Sequence, residues 1–346
     1  MTTDAQYIRR CFDLALLGAG HVSPNPMVGA VLVHGGRIIG EGWHQRYGAA
    51  HAEVNCLRSV APDDRPLIPY STLYCSLEPC FHFGKTPPCV DLILEQKIPR
   101  VVVANEDPNP QVAGQSIAKM RTAGVEVVTG VLANEGQWLN RAFFTWLELQ
   151  RPHIILKWAQ TRDGFLGRRG ERTPISGPAA QRLLHRWRSE ADAIWVGTTT
   201  ALTDNPRLDA RLVGGKNPLR VTFDRAGKIP AGFHLLDDSI ATWIFGKYRE
   251  GHFSKTSFFP AENDAATLVP QVLEKLRAAN HAIVLVEGGA QVLSQLLEQG
   301  YWDEIRVIES ERALGDGIAA PKVPEVAQLR EQFALGSDMV RVYARL

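Results

Sequence analysis

The sequence predicts an α/β protein of two domains: a three-layer α/β/α domain over residues 1–150 and a second α/β domain over residues 151–346. Three observations predict it. The chain has 346 residues, more than one ordinary core accommodates. Short apolar runs rich in Val and Ile alternate with helical periodicities through both halves, the pattern of a sheet covered by helices. Arg151-Pro152 then falls between two such alternating series and reads as the seam.

The first segment, "MTTDAQYIRRCFDLALLGAGH", has the pattern of an amphipathic helix, with Tyr7, Ile8, Cys11, Phe12 and Ala15 on one side. "MVGAVLVHGGRIIGEGWH" reads as a β-hairpin turning at Gly35-Gly36. Before it, Asn25 stands between two prolines in an extended loop, as either a turn former or a reader of a base edge. A helix holding His51-Ala52-Glu53 follows, then strand "STLYCSL", a cysteine-bearing loop with a helix opening at Cys80, and strand "RVVVAN". "EDPNPQVAGQ" is a turn-rich loop, followed by a helix to Ala123 and strand "VEVVTG". One amphipathic helix, "NEGQWLNRAFFTWLELQ", closes the first half.

The second half opens with strand "HIILKWAQ" and a turn at Asp163-Gly164. "SGPAAQRLLHRWRSEADAIWVG" predicts a helix capped by Ser176, with Pro178 in its first turn, and a strand ending at Gly197. "TTTALTDNPRLDARLVGGKNP" reads as a long polar loop, "RVTFD" and "ATWIFG" as strands, and "GHFSKTSFFPAENDA" as a loop. "HAIVLVEGGAQVLSQLLEQG" is a buried strand, a Gly-Gly turn and a helix. "DEIRVIES" and "MVRVYARL" complete the sheet.

Composition narrows the function classes. Hydrophobic residues make up 45% and charged residues 22%, ordinary globular values. The net charge of +1 carries no electrostatic footprint for nucleic acid or an anionic membrane. There is no long apolar run, so no signal peptide or membrane span is expected. Five cysteines, Cys11, Cys56, Cys75, Cys80 and Cys89, cluster early in the chain. An odd count around a metal-type motif points to reduced thiols and a cytoplasmic protein.

The chemistry concentrates between His51 and Cys89. One imidazole and two thiols form the set that a catalytic zinc uses when its fourth position stays open for water. Glu53 adds a carboxylate that need not bind metal and can instead carry a proton to a leaving amine. His-x-Glu with a later Pro-Cys…Cys is the signature of zinc deaminases, which predicts hydrolytic deamination of a nitrogen heterocycle. Residues i and i+2 do not share a helical face, so His51 must stand at or just before the first turn. Cys89 lies nine positions after Cys80, wider than the usual Cys-x-x-Cys, and the intervening loop holds His82 and Lys85. Two plainer readings stand beside this one: a structural zinc with His82 or His44 as fourth ligand, and unligated buried cysteines.

Glu287-Gly288-Gly289 is the second locus. A strand-Gly-Gly-helix turn lets backbone approach a phosphate at a helix N-terminus, although taken by itself it reads more readily as a plain tight turn. Arg188, Arg207 and Arg211 lie on or beside polar loops, as phosphate partners or as solvated surface. Asp204-Asn205-Pro206 reads as a turn feeding the same region.

Taken together, "PNPMVGAVLV", "HAEVN", "EPCFHFGKTPPC", "DPNPQVAG", "KWAQTRDG", "DAIWVGTTTALTDNPRLDAR" and "VEGGAQVL" resemble, almost end to end, the bifunctional deaminase/reductases of riboflavin biosynthesis. The resemblance implies a cytidine-deaminase-like domain followed by a dihydrofolate-reductase-like domain. It implies zinc on His51, Cys80 and Cys89, with Glu53 as proton shuttle. Asn25, His44, His82 and Lys85 would line the pyrimidine and phosphate site, and Asp107 and Asn109 its far wall. Arg188, Leu208, Arg211 and Glu287 would contact the reductase substrate. Thr200, Asp204 and the segment from Gly289 through Ala290 and Gln291 would hold NADPH, with Lys157 facing its nicotinamide. A small-molecule substrate and a homo-oligomer, dimer or larger, are also implied. The chain departs from the family at Arg162, where Leu is usual, and at Pro174, where Trp is usual. Other readings are a deaminase for a different base joined to a pterin reductase, and a non-enzymatic nucleotide sensor with a structural zinc.

Overall fold

The computed structural model describes residues 3–81, 87–109, 113–261 and 265–345. It divides into two compact units, Met1–Gln150 and Arg151–Leu346.

In the first unit the elements are α1 (Thr3–Leu16), β1 (Gly29–His34), β2 (Arg37–Trp43), α2 (Ala52–Arg58), β3 (Thr72–Leu77), α3 (Cys89–Glu95), β4 (Arg100–Asn105), α4 (Gln115–Thr122), β5 (Glu126–Thr129), α5 (Ala133–Leu139) and α6 (Arg141–Glu148). The sheet has five strands in the order β2-β1-β3-β4-β5, antiparallel around β1 and parallel from β3 to β5. Alternate residues of each strand serve opposite faces. Ala30, Leu32, Leu73, Cys75, Val101 and Val103 pack beneath α2, α3 and α4. Val31, Val33, Tyr74, Val102 and Ala104 pack against Ile8, Cys11 and Phe12 of α1. The unit is therefore three layers, helices on both faces of one sheet. A Cβ on Gly42 would stand 2.2 Å from the Cys56 nitrogen, so only glycine lets α2 lie this close to β2.

Two local expectations are corrected here. The cysteine loop does not open a helix at Cys80, because α3 begins only at Cys89, after Pro88. The closing helix is two helices, α5 and α6, broken at Asn140. Asn140 is buried, takes the Met27 N–H on its carbonyl oxygen at 2.8 Å, and donates its amide to the Met27 carbonyl at 2.9 Å. That two-way clamp turns the side chain to a distant loop and outweighs helical continuity.

The second unit contains β6 (His153–Thr161), β7 (Phe165–Gly167), α7 (Pro178–Glu190), β8 (Ala193–Val196), α8 (Thr198–Asp204), β9 (Leu219–Asp224), β10 (Thr242–Gly246), β11 (Thr256–Phe259), α9 (Ala265–Ala278), β12 (Ile283–Val286), α10 (Ala290–Glu298), β13 (Glu304–Ser310), β14 (Ile318–Ala319), β15 (Ala327–Leu335) and β16 (Asp338–Arg345). Nine strands run β11-β10-β9-β8-β12-β6-β13-β16-β15, parallel through β13 and antiparallel at β16 and β15. Residues of α9 and α10 cover one face, and α7 covers Ile155, Leu285 and Ile308 on the other.

Three expectations change in this unit. Gly177, not Ser176, caps α7, and its N–H donates to Asp338 Oδ2 at 2.7 Å. The polar stretch after Gly197 begins with helix α8. The loop read over residues 251–265 carries a strand, β11, paired in parallel with β10. Its two half-buried aromatics, Phe258 and Phe259, pack onto the sheet faces.

Candidate active sites

His51 stands at the N-cap position of α2 and Glu53 at its second residue, so the ring points off the helix end while the carboxyl turns inward. His51 Nδ1 lies 3.4 Å from Cys80 Sγ and 3.4 Å from Cys89 Sγ. All three ligand atoms fall within 4.8 Å of one another. Tetrahedral zinc with Zn–S of about 2.3 Å and Zn–N of about 2.0 Å needs N···S edges of roughly 3.6 Å, so the donor set fits that ion. Cys89 N–H donates to Cys80 Sγ at 3.2 Å. Cys80 is held below the usual thiol range, first by the hydrogen bond from the Cys89 thiol and then by His51 and the Cys89 amide. The bond to Cys80 raises the His51 pKa.

Glu53 is 2% exposed, and burial, with the Cys80 charge beside it, pushes its carboxyl up to about 7. It is within hydrogen-bonding reach of the Cys89 thiol. His44 Nδ1 donates to the Ala50 carbonyl at 3.1 Å, which fixes the tautomer, and Asn25 Nδ2 donates to His44 Nε2 at 3.2 Å. Burial holds His44 below its usual range, and its ring meets that of His51 edge-on at 5.4 Å. With both nitrogens engaged, His44 is not a fourth metal ligand. Asn25 also makes the turn read from its prolines, its N–H on Val22 O at 2.9 Å. The remaining cysteines, Cys11, Cys56 and Cys75, are buried away from the ligand group.

Asp107 and Asn109 form a turn, Asn109 N–H to Asp107 Oδ1 at 2.8 Å. His82 and Lys85 lie outside the described residues. One residue of this region had no sequence expectation. Glu78 is buried before Pro79-Cys80, and its carboxylate receives the Asp107 N–H.

In the second unit, Arg188 and Glu287 form a bidentate pair, Nε to Oε1 and Nη2 to Oε2 both 2.7 Å, and Arg188 Nη1 donates to Asp209 O at 3.2 Å. Burial favours the neutral acid, but Arg188 and Lys157 outweigh it and hold Glu287 below the usual carboxylate range. Burial pushes the Lys157 amine down against the attraction of Glu287. Arg211 is paired with Asp209, and His185, a further group that the sequence did not single out, faces the same carboxylate at 4.0 Å. Arg207 is exposed and reaches His234 instead. Leu208 is buried with φ 53, so its side chain belongs to the core and its backbone is turned left-handed.

The turns after β8 and β12 lie side by side at the carboxyl ends of paired parallel strands, where open α/β sheets bind ligands. Gly289 caps α10, and a Cβ there would stand 3.0 Å from Thr200 Oγ1. Thr200 and Asp204 are i and i+4 on α8, one face of that helix. Burial raises the Asp204 pKa. Ala290 is half-buried and Gln291 exposed at the start of α10.

The folds and sites define a two-domain enzyme, a zinc-binding cytidine-deaminase-like unit followed by a dihydrofolate-reductase-like unit. Residues 1–105 match the cytidine and deoxycytidylate deaminase zinc-binding region, and residues 152–340 match the RibD C-terminal domain. The riboflavin biosynthesis protein RibD of Aquifex aeolicus is 35% identical, the match covering 99% of this chain and 98% of that one. The RibD of Escherichia coli is 32% identical over 90% of this chain and 89% of its own. A solved diaminohydroxyphosphoribosylaminopyrimidine deaminase/5-amino-6-(5-phosphoribosylamino)uracil reductase from Thermotoga maritima superposes with TM-score 0.90 at 33% identity, over 99% of each chain. The chain belongs to the RibD family, the bifunctional deaminase and reductase enzymes of riboflavin biosynthesis. Among the described residues no helix is long and apolar enough to cross a membrane.

Proposed function

We propose that the unit Met1–Gln150 is a zinc-dependent deaminase of 2,5-diamino-6-ribosylamino-4(3H)-pyrimidinone 5′-phosphate, and that the unit Arg151–Leu346 reduces the ribosyl group of the product with NADPH. The final product is 5-amino-6-ribitylamino-uracil 5′-phosphate. The observation that carries this is Glu53, a buried carboxyl set among His51, Cys80 and Cys89. A purely structural metal site has no use for such an acid.

In this reading His51, Cys80 and Cys89 hold one zinc, which when bound activates water at neutral pH. Glu53 takes a proton from the attacking water and delivers it to the ring 2-amino group, which leaves as ammonia. His44 and Asn25 line the pyrimidine; the donation from Asn25 to His44 leaves the Asn25 carbonyl oxygen for the base edge. Asp107 and Asn109 form the opposite wall. By motif, His82 and Lys85 complete the pocket, Lys85 facing the phosphate.

In the reductase, Arg188, Arg211 and Glu287 contact the ribosylaminouracil phosphate, with Leu208 contributing backbone only. Thr200, Asp204, Gly289, Ala290 and Gln291 would hold NADPH, which when bound would supply the hydride that reduces the ribosyl group. Lys157 stands beside Glu287 and by motif would face the nicotinamide. We further infer a cytoplasmic enzyme, from its five free thiols, that works as a dimer or larger homo-oligomer.

The test is Glu53→Gln. Ammonia release is expected to fall by about 10²–10⁴-fold with zinc content unchanged. Full activity in that variant would sink the mechanism.

A further inference from the structure

We propose that Glu78 is a positioning residue of the deaminase, fixing the separation between the Cys80 end of the site and the turn that carries Asp107 and Asn109. The inference rests on the deaminase reading above.

Glu78 follows β3 directly and is joined to Cys80 through Pro79, whose ring restricts the intervening backbone. It is 4% exposed, and its carboxylate accepts four hydrogen bonds. Oε2 takes the N–H of Asp107 at 3.1 Å and of Gly114 at 3.0 Å. Oε1 takes the Ser116 hydroxyl at 2.6 Å and the Ile117 N–H at 3.4 Å. Its own N–H donates to Asn105 O at 2.9 Å. One residue thus grips the chain where it leaves β4, again at Asp107, and again where it enters α4.

All four donors to the carboxylate are neutral groups, so this is not an ion pair that any surface charge could replace. An ionised carboxylate accepts on both oxygens and nowhere donates, which matches a ring of four donors. Such charge-assisted bonds are roughly twice as strong as neutral ones. Asp107 Oδ1 is itself committed to the Asn109 N–H. The turn is therefore tied together as a unit, and the Glu78 carboxylate fixes its position. A pyrimidine seated between the metal ligands and that turn meets a width defined by Glu78.

The test uses the purified full chain and three variants, Glu78→Gln, Glu78→Asp and Ser116→Ala. The readouts are zinc per chain, KM and kcat for ammonia release, and NADPH oxidation on the separately prepared deaminated product. Glu78→Gln turns an amide N–H₂ toward two donors. We expect its deaminase KM to rise about tenfold, the loss of a charged hydrogen bond, with kcat within about threefold. Zinc and NADPH oxidation stay at wild-type values. Glu78→Asp falls between, and Ser116→Ala raises KM about two- to threefold. An unchanged KM in Glu78→Gln overturns the proposal, as does an unchanged KM in Ser116→Ala should Glu78→Gln fail to fold. Zinc lost in step with activity also overturns it, since Glu78 would then support only the ligand. Wild-type enzyme that releases no ammonia from this substrate sinks the deaminase reading itself, a different result from a normal wild type with an indifferent Glu78.

Discussion

The backbone N–H of Cys89 points at the sulfur of Cys80, 3.2 Å away, so the residue that opens α3 also stabilises the thiolate of the other thiol ligand. The wide spacing of the two cysteines is closed by this contact rather than by a short Cys-x-x-Cys turn. Cys80→Ser and Cys89→Ser should each reduce zinc from about one per chain to trace, because a hydroxyl is a poor replacement for a thiolate ligand. Metal analysis checks this. NADPH oxidation on deaminated product should be untouched in both variants.

Chelation follows the same logic. Stripping zinc from the wild type should abolish ammonia release and spare the reductase step, and readdition of zinc should restore the first activity. Parallel assays of the two steps on chelated enzyme measure it.

Arg188 and Glu287 form a buried, two-pronged pair in the reductase unit. Arg188→Lys cannot reproduce the fork, and NADPH-dependent turnover should drop about tenfold or more while ammonia release is unchanged. Glu287→Ala leaves a buried guanidinium without its partner and should destabilise this unit by about 3–5 kcal/mol, read by denaturant unfolding.

Asp303 holds Arg151 through contacts of 2.6 and 2.8 Å and takes the Ile154 N–H at 2.8 Å. Burial opposes its charge, yet Arg151 and His153 outweigh burial and keep its carboxyl below the usual range. A depressed carboxylate contributes stability above its unfolded pKa and loses it as pH falls through the folded one. Asp303→Asn should therefore cost about 2 kcal/mol at pH 7, with the gap to wild type closing as pH drops below about 4. Unfolding at several pH values reads the difference.

Asn140 clamps Met27 through both its N–H and its carbonyl, two residues after Asn25. Asn140→Ala leaves those backbone groups unpaired and should cost about 1–3 kcal/mol, seen as a lower Tm. The deaminase KM should rise with it, because the loop carrying Asn25 loses its anchor.

What could be read from the sequence was whatever depended on residue type and short spacing. His51, Glu53, Cys80 and Cys89 announce themselves because few residue types bind zinc and their chemistry fixes the pattern. The inner strands β4 and β12 were equally plain as continuous apolar runs. Elements set by distant partners were not. Glu78 looks like any acid before a proline until residues 29 to 39 positions later supply its donors. The break at Asn140 depends on Met27, 113 residues away. α8 is disguised by a Thr-rich opening of weak helical propensity. β15 lies at the sheet edge with almost every residue exposed, so it shows no buried face to betray it. α9 carries Pro270 inside it.

The most direct test of the two-step account is one progress curve: ammonia and NADPH followed together on the diaminopyrimidinone phosphate with zinc-loaded enzyme. Ammonia is expected to appear first, with NADPH then consumed in equal amount. NADPH loss without prior ammonia, or ammonia release never followed by NADPH consumption, would contradict it.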